Sequence, residues 1–478
     1  MSHCWGTQMP LRLLSSNIAD FQSGIPADQL SRSFQDAIQV LEWLGLSYIW
    51  IDSLCIIQDS PEDWEKESAL MADVYSNSHC NIAAAHAADG TCGCFAERDP
   101  RLVRPLQVEV KLGPNPGVYC GVQESYWKDR VMSAPLNERA WVCQERYLAP
   151  RNLSFGETQL YWECCACSAS ETFPAGLPPG VERMVKSLDP RLGGAALRRQ
   201  DGLPDVPELD AFALWGGIVH QYSKGDLTFP EDKLVAISGL ASRMQKHIQS
   251  DYLAGLWRKD LAHQLLWTGE EDILAIPQER PAVYTAPSWS WASRHGQIKS
   301  GHVVRHIGNH DIVLEIQDAQ TQLVSDEIPF GRVRSGYLRV RGYLARTGVR
   351  LQERPRHQGH FSLIVDNKDV GIARVDSYTQ EGTTVSHTEL HYLPIRYETR
   401  LVEIFSGDKT TVHELEGLVC RATSPDPGTE FIRVGWFWTV HQTKEFQALC
   451  REYSTGSREV GTTEDTREWG PKLEFTII

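Results

Sequence analysis

Apolar positions along the first 165 residues alternate between helical and strand spacing. Leu30, Phe34, Ala37, Ile38, Leu41 and Leu44 recur every three or four residues and predict a helix, with Gly45 where a C-terminal cap belongs. Tyr48-Ile49-Trp50-Ile51 follows as a short apolar run that predicts a buried strand. Ser60 is placed to cap a second helix, with Pro61 at its first position and Glu62 and Asp63 at the positive end of its dipole. That helix is expected to reach about Tyr75 and to bury Trp64, Met71, Val74 and Tyr75. Residues 80–85 predict another strand, 137–148 a third helix and 153–155 a further strand. Helices alternating with short strands imply an α/β domain built on a mostly parallel sheet covered on both faces.

The pattern changes after about residue 165. Pro174, Pro178, Pro179, Pro190, Pro204 and Pro207, mixed with glycines, predict a loop or linker over 166–210. A helical extension is expected over 211–300, with Leu214, Ile218, Leu234, Ile237 and Leu240 in its core. Beyond residue 300 the period becomes two: Leu338, Val340 and Leu344 alternate with Arg339 and Arg341. Residues 301–478 therefore predict a β-rich C-terminal region. No internal repeat is evident.

Composition narrows the classes. The 478 residues carry 47 basic and 62 acidic side chains, and 47 − 62 = −15 argues against a broad nucleic-acid or anionic-membrane surface. No run of about 18 apolar residues predicts a membrane span. The first residues lack the basic and apolar segments of a secretory signal. Twelve cysteines without a framework spacing fit a reducing compartment, so a cytoplasmic protein is expected. Fifteen tryptophans promise large aromatic anchors.

Several residues could carry chemistry. Trp141 and Glu145 lie one turn apart on one face of the predicted third helix. An aromatic ring beside a carboxylate suits the stabilisation of a developing cation, as in glycosidic cleavage. The same pair also reads as a core Trp with a surface Glu bound to Arg139, Arg146 or Arg151. Asp52 and Ser53 end the predicted strand at 48–51, where open α/β sheets collect ligands, although Asp52 could equally cap the next turn. Cys55, within an apolar run, reads as a buried, inert thiol. Cys92-Gly-Cys94 and Cys164-Cys165-Ala-Cys167 match no zinc-finger or ribbon spacing, so no metal site is expected. Phosphate-binding glycine loops are absent, which disfavours kinases, P-loop ATPases and Rossmann dehydrogenases.

Taken together, Ser2-His3-Cys4-Trp5-Gly6, Phe34-Gln-Asp-Ala-Ile38 and Leu44-Gly-Leu-Ser-Tyr-Ile-Trp-Ile-Asp-Ser-Leu-Cys-Ile-Ile-Gln-Asp59 resemble the fungal heterokaryon-incompatibility (HET) domain. Asp63-Trp64, Met71, Tyr75 and Arg139-Ala-Trp-Val-Cys-Gln-Glu-Arg146 continue that resemblance in the same order. Tyr222-Ser-Lys-Gly-Asp-Leu-Thr228, Asp232 to Ala241, Gly255-Leu-Trp257 and Pro287-Ser-Trp-Ser-Trp291 resemble the region that commonly follows the domain. The resemblance implies a fungal protein of self/non-self recognition that triggers growth arrest and programmed cell death. It also implies a HET domain over residues 1–165 and action through self-association or a protein partner. HET domains are distantly similar to Toll/interleukin-receptor (TIR) domains, some of which cleave NAD through a helical glutamate, so a TIR-like sheet is implied. By that similarity Glu145 would be catalytic on NAD as substrate, with no bound cofactor. Trp5 or Trp141 would pack on a ring, and Asp52, Ser53 and Arg139 would line the cleft. The family normally has residues before Ser-His-x-Trp-Gly that complete the first strand, and here that strand is expected to be incomplete. A second class stays open: an enzyme or accessory protein recruited to secondary-metabolite biosynthesis through the same cleft.

Overall fold

The computed structural model describes residues 1–6, 11–111, 117–178, 181, 186–189, 210–269, 280–300, 310–345, 349–354, 357–365, 368–376, 390–403, 409–424, 430–440 and 472–478. Much of the predicted 166–210 linker, including 190–209, lies outside the described residues. Two units separate: Met1–Leu188 together with Gly225–Leu227, and Asp189–Lys224 together with Thr228–Ile478.

The first unit opens with α1 (Ile18–Ser23) and α2 (Arg32–Trp43). The Ser31 hydroxyl accepts from Phe34 N at the start of α2, and Gly45, at φ +66°, follows its end. Part of the predicted stripe faces inward: Phe34 and Ala37, together with Val40, join Ile51, Ile82, Ala84 and Phe155 in one core, while Ile38 and Leu41 are half-buried and Leu44 is exposed. After the single turn α3 (Asp52–Cys55) comes α4 (Pro61–Ser76). Ser60 Oγ accepts from Asp63 N at 3.2 Å, and Asp63 Oδ2 accepts from Ile57 N at 2.8 Å. Two amides that the helix cannot satisfy internally are thereby bonded. Met71 and Tyr75 are buried, whereas Trp64 and Val74 are half-buried.

The strands of this unit are β1 (Asn81–Ala83), the hairpin β2 (Leu106–Val110) and β3 (Gly117–Gly121), then β4 (Arg151–Phe155), β5 (Leu160–Cys164) and β6 (Ser168–Ser170). Helix α5 (Ala140–Leu148) precedes β4. A four-stranded sheet runs β1-β4-β5-β6. Ser2 bridges Ala83 in parallel beside it. Among the described strands of this unit only β1 and β4 pair in parallel, while β4/β5 and β5/β6 are antiparallel. The described sheet is therefore mixed rather than mostly parallel. The reason lies in the connections: Gly156–Gln159 and Cys165-Ala166 are too short for a parallel crossover.

Three local expectations need correction. Residues 48–51 form no ladder; the backbone is extended at Ile51, and Trp50 O accepts a bond from the Met1 ammonium at 2.9 Å. Residues 168–170, inside the predicted loop, form β6, because a two-residue turn returns the chain along β5. The third helix starts at Ala140 rather than 137, since Pro135–Glu138 winds as a tight 3-10 turn.

In the second unit, α6 (Asp210–Ser223) and α7 (Val235–Ile248) lie where the apolar spacing is helical. A small hairpin, β7 (Tyr252–Leu253) and β8 (Leu256–Trp257), interrupts it. Then come α8 (Leu261–Gln264) and the pair β9 (Thr268–Gly269) and β10 (Ile298–Lys299). The described residues of the period-two region form ten strands: β11 (His310–Ile312), β12 (Glu315–Leu323), β13 (Val333–Gly342), β14 (Val349–Arg354), β15 (His357–Val365), β16 (Lys368–Val375), β17 (Leu390–Glu403), β18 (Lys409–Ala422), β19 (Glu430–Val440) and β20 (Leu473–Ile477). They lie in one sheet, ordered β11-β17-β18-β19-β16-β15-β14, with β20 joining β13 to β19 and β12 beyond β13. Arg433 on β19 is wholly buried against Asp376, donates to Leu265 O and Trp267 O, and stacks on Trp267 at 3.3 Å.

Candidate functional site

The first five residues, β1, α3, α4 and α5 bring most of the polar candidates together. Ser2 is held by its bridge to Ala83 and by hydrogen bonds to the Asn81 side chain. This fixes the alternation of the next residues. His3 is 2% exposed, its ring edge-on to Phe34, with Nδ1 3.7 Å from Asp52 Oδ1. The indole of Trp5 donates to Asp52 Oδ2 at 3.0 Å. Gly6 follows at φ +67°, where a Cβ would lie 2.3 Å from that of Asp89, so only glycine fits this turn.

Asp52 opens α3 and Cys55, exposed rather than buried, closes it. Asp52 Oδ1 accepts from Ser53 N at 2.7 Å without capping the helix, and its carboxylate faces Trp5 and His3 and stays 23% exposed. Ser53 points elsewhere. It is fully buried, and its hydroxyl finds no partner among the described residues.

Glu145 is 5% exposed on α5. Burial raises its pKa; the Arg139 cation and a hydrogen bond with the Ser2 side chain oppose the shift, and the Asp52 charge adds to it. The Tyr75 hydroxyl donates to Met1 O at 3.2 Å, and the Glu145 charge acts on it as well. The reading of Glu145 as a surface partner of arginine is thus excluded. Arg146 instead grips Glu163, and Arg151 donates to His79 O. Trp141, half-buried, meets Trp64 edge-on at 6.4 Å. Arg139 donates to His3 O and sits between the imidazole and the acid, acting on both electrostatically. Burial, helped by Arg139 and opposed by Asp52, lowers the His3 pKa to about 4.

The helix that carries Glu145 is closed at its front by a distant stretch of chain. Asp226 O accepts from Ala140 N at 3.0 Å, and Asp226 N donates to Glu138 O. A Cβ on Gly225 would lie 2.6 Å from Ala140 N and Cα, so glycine permits this approach. Arg139 and Asp226 bridge in parallel. Pairwise spacing gave no hint of this contact, although Gly225-Asp226 sits inside the run that resembles the region after HET domains. Ser2 and Tyr75 are likewise visible as motif or core residues, but not as neighbours of Glu145.

Chemically, the cluster offers two carboxyl groups in unlike surroundings, one enclosed and one reaching solvent, with a cation and a neutral imidazole between them. Such pairs can divide acid and electrostatic roles. Among the described residues, no group of three or more His, Cys, Asp or Glu is placed to hold a metal ion. No described helix is long and apolar enough to cross a membrane.

The first unit is thus a mixed α/β domain whose opening segment, rather than a glycine loop, builds the polar cluster. Residues 1–145 match the family described as heterokaryon incompatibility protein (HET), and the match ends on Glu145 itself. No curated protein and no solved structure matches the chain.

Proposed function

We propose that the chain is a fungal heterokaryon-incompatibility effector that acts in the cytoplasm through association of its first unit. The observation that carries this reading is the family match over residues 1–145, the stretch that supplies His3, Asp52, Arg139 and Glu145 to one cluster. Association with a second copy is supported by the β2/β3 hairpin. Val108 pairs with Tyr119 on the face that also carries Leu106 and Val110, and all four are exposed. No third described strand covers either edge of the hairpin. Unpaired apolar edges of this kind template pairing with another chain.

NAD cleavage is the chemistry this cluster favours. Breaking the nicotinamide–ribose bond builds positive charge on the ribose, and a carboxylate aimed at that charge lowers the barrier. Glu145 supplies the carboxylate, Arg139 and Ser2 favour its ionised form, and Asp52 with Trp5 forms the side that reaches solvent.

Expression in a filamentous fungus, with growth and cellular NAD followed together, tests both readings. Full-length protein should arrest growth, and unaffected growth at matched protein levels sinks the effector reading. Glu145→Gln keeps the shape and removes the charge, so NAD turnover by purified protein should fall at least ~100-fold. Arrest that persists unchanged in Glu145→Gln, with NAD steady in both strains, would leave association alone as the mechanism.

A further inference from the structure

Three thiols crowd the turn between β5 and β6. Cys164 and Cys167 follow the last pair of the ladder, Glu163 with Ser168, with only Cys165 and Ala166 between them. Cys164 N donates to Cys167 O at 2.9 Å, and the two Sγ atoms are 4.0 Å apart. Opposed antiparallel residues have Cα atoms about 4.5–5.5 Å apart, inside the range a disulfide spans. Bond formation therefore needs side-chain rotation together with a small tightening of the turn. Burial works against the Cys164 thiolate, but hydrogen bonds from the Cys167 and Ala166 backbone outweigh it and hold this thiol below its ordinary pKa. The thiolate is the reactive form.

We propose that Cys164 and Cys167 are a reversible redox couple, closed by a hydroperoxide, and that closure loosens the seat of α5. The Cys164 thiolate attacks one peroxide oxygen, the O–O bond breaks, and the departing hydroxide takes a proton to leave as water. The sulfenic acid left on Cys164 is then displaced by the Cys167 sulfur. The S–S bond forms, and the hydroxyl leaves as a second water with the Cys167 proton. Two thiols and one hydrogen peroxide thus give one disulfide and two waters. A dithiol reverses the step by exchange, becoming a disulfide itself.

The link to α5 is one residue away. Glu163, beside Cys164, is buried and accepts a two-pronged grip from Arg146 at 2.6 and 2.7 Å, and Asn152 Nδ2 approaches it at 3.4 Å. Arg146 directly follows Glu145, and its carbonyl accepts from Asn152 and Lys186. Closing the disulfide draws the sulfurs together by about 2 Å. The parallel N–H···O bonds of a guanidinium–carboxylate fork demand a fixed geometry, so the tightened turn pulls Glu163 out of register with Arg146. What this does to Glu145 rests on the function proposed above. The thiol chemistry and the helix response do not.

The full-length protein, treated with a few equivalents of hydrogen peroxide and then alkylated, tests both parts without any activity assay. The peptide holding Cys164 and Cys167 should lose about 2 Da, become resistant to alkylation at both, and recover with dithiothreitol. Cys164→Ser and Cys167→Ser should each abolish the mass loss, and Cys165→Ser should retain it. Amide exchange across Ala140–Leu148 should quicken at least ~10-fold on oxidation, the scale of losing one charge-assisted hydrogen bond. Bridging through Cys165, or oxidation of Cys164 that leaves Cys167 alkylatable, would overturn the couple. A closed disulfide with unchanged exchange in α5 would overturn the coupling.

Discussion

An imidazole enclosed as His3 is stays neutral, because its charged form would lose its water and the Asp52 carboxylate at 3.7 Å does not make up that loss. Its folded-state pKa of about 4 lies below the 6.5 of an open chain. Between those values the unfolded chain binds the proton and the folded one does not. Stability from this group is therefore complete above pH 6.5 and declines as the pH falls towards 4, by about 3 kcal/mol in all. Replacing His3 with Gln should flatten that part of the curve of unfolding free energy against pH, measured by urea denaturation. A wild-type curve that is flat between pH 6.5 and 4 contradicts the assignment. At this scale the sequence was half legible. Ser2-His3-Cys4-Trp5-Gly6 stood out as a block, but nothing in it told that Trp5 would bond Asp52 across 47 positions of chain. Ser53 shows the converse. Its place beside Asp52 suggested a shared pocket, yet the first turn of α3 rotates it into the core.

Elements were most legible where their ends are set locally. Ser60 and Pro61 begin α4 and Gly45 follows α2, because capping depends on residues within a few positions. Strand pairing depends on partners far away, which is why the apolar run at 48–51 misled: Ile51 and Ile49 pack on the core without joining a ladder. The β2/β3 hairpin is the opposite case, a ladder that covers no core. Its exposed Val118 pairs with Glu109, on the face opposite Tyr119, and adds apolar surface there. Val108→Lys should leave the unfolding midpoint within experimental error, since exposed substitutions change stability by less than ~0.5 kcal/mol. The same change should shift concentration-dependent association in analytical ultracentrifugation to at least ~10-fold higher concentration, equivalent to about 1.4 kcal/mol. Identical association by the two proteins removes this face from the interface.

At the scale of the whole molecule, the alternation after residue 300 announced a β-rich region, but the sheet's order depends on pairings no local pattern encodes. β16 joins β19 across 60 residues, and β20 lies between β13 and β19. Within the second unit, Arg433 ties this sheet to Leu265 and Trp267, just beyond α8. Arg433→Ala would strip the buried Asp376 carboxylate of its hydrogen-bonded cation, leaving it Arg280 at 3.9 Å, and should cost about 3–5 kcal/mol, read as an earlier loss of tryptophan burial in urea. The double change Arg433→Met with Asp376→Leu should recover much of that, and a single variant as stable as wild type would refute the ledger of bonds around it. The Gly225–Leu227 strap has a consequence in time. The ribosome finishes residue 188 well before it reaches residue 227, and at ordinary elongation rates the gap is roughly 2–8 s. Throughout that interval the nascent first unit has α5 without the cap on Ala140 N. The helix bearing Glu145 is thus completed only after α6 has been synthesised, so a chain cut short before residue 225 leaves the ribosome with its central acid on an unfinished helix.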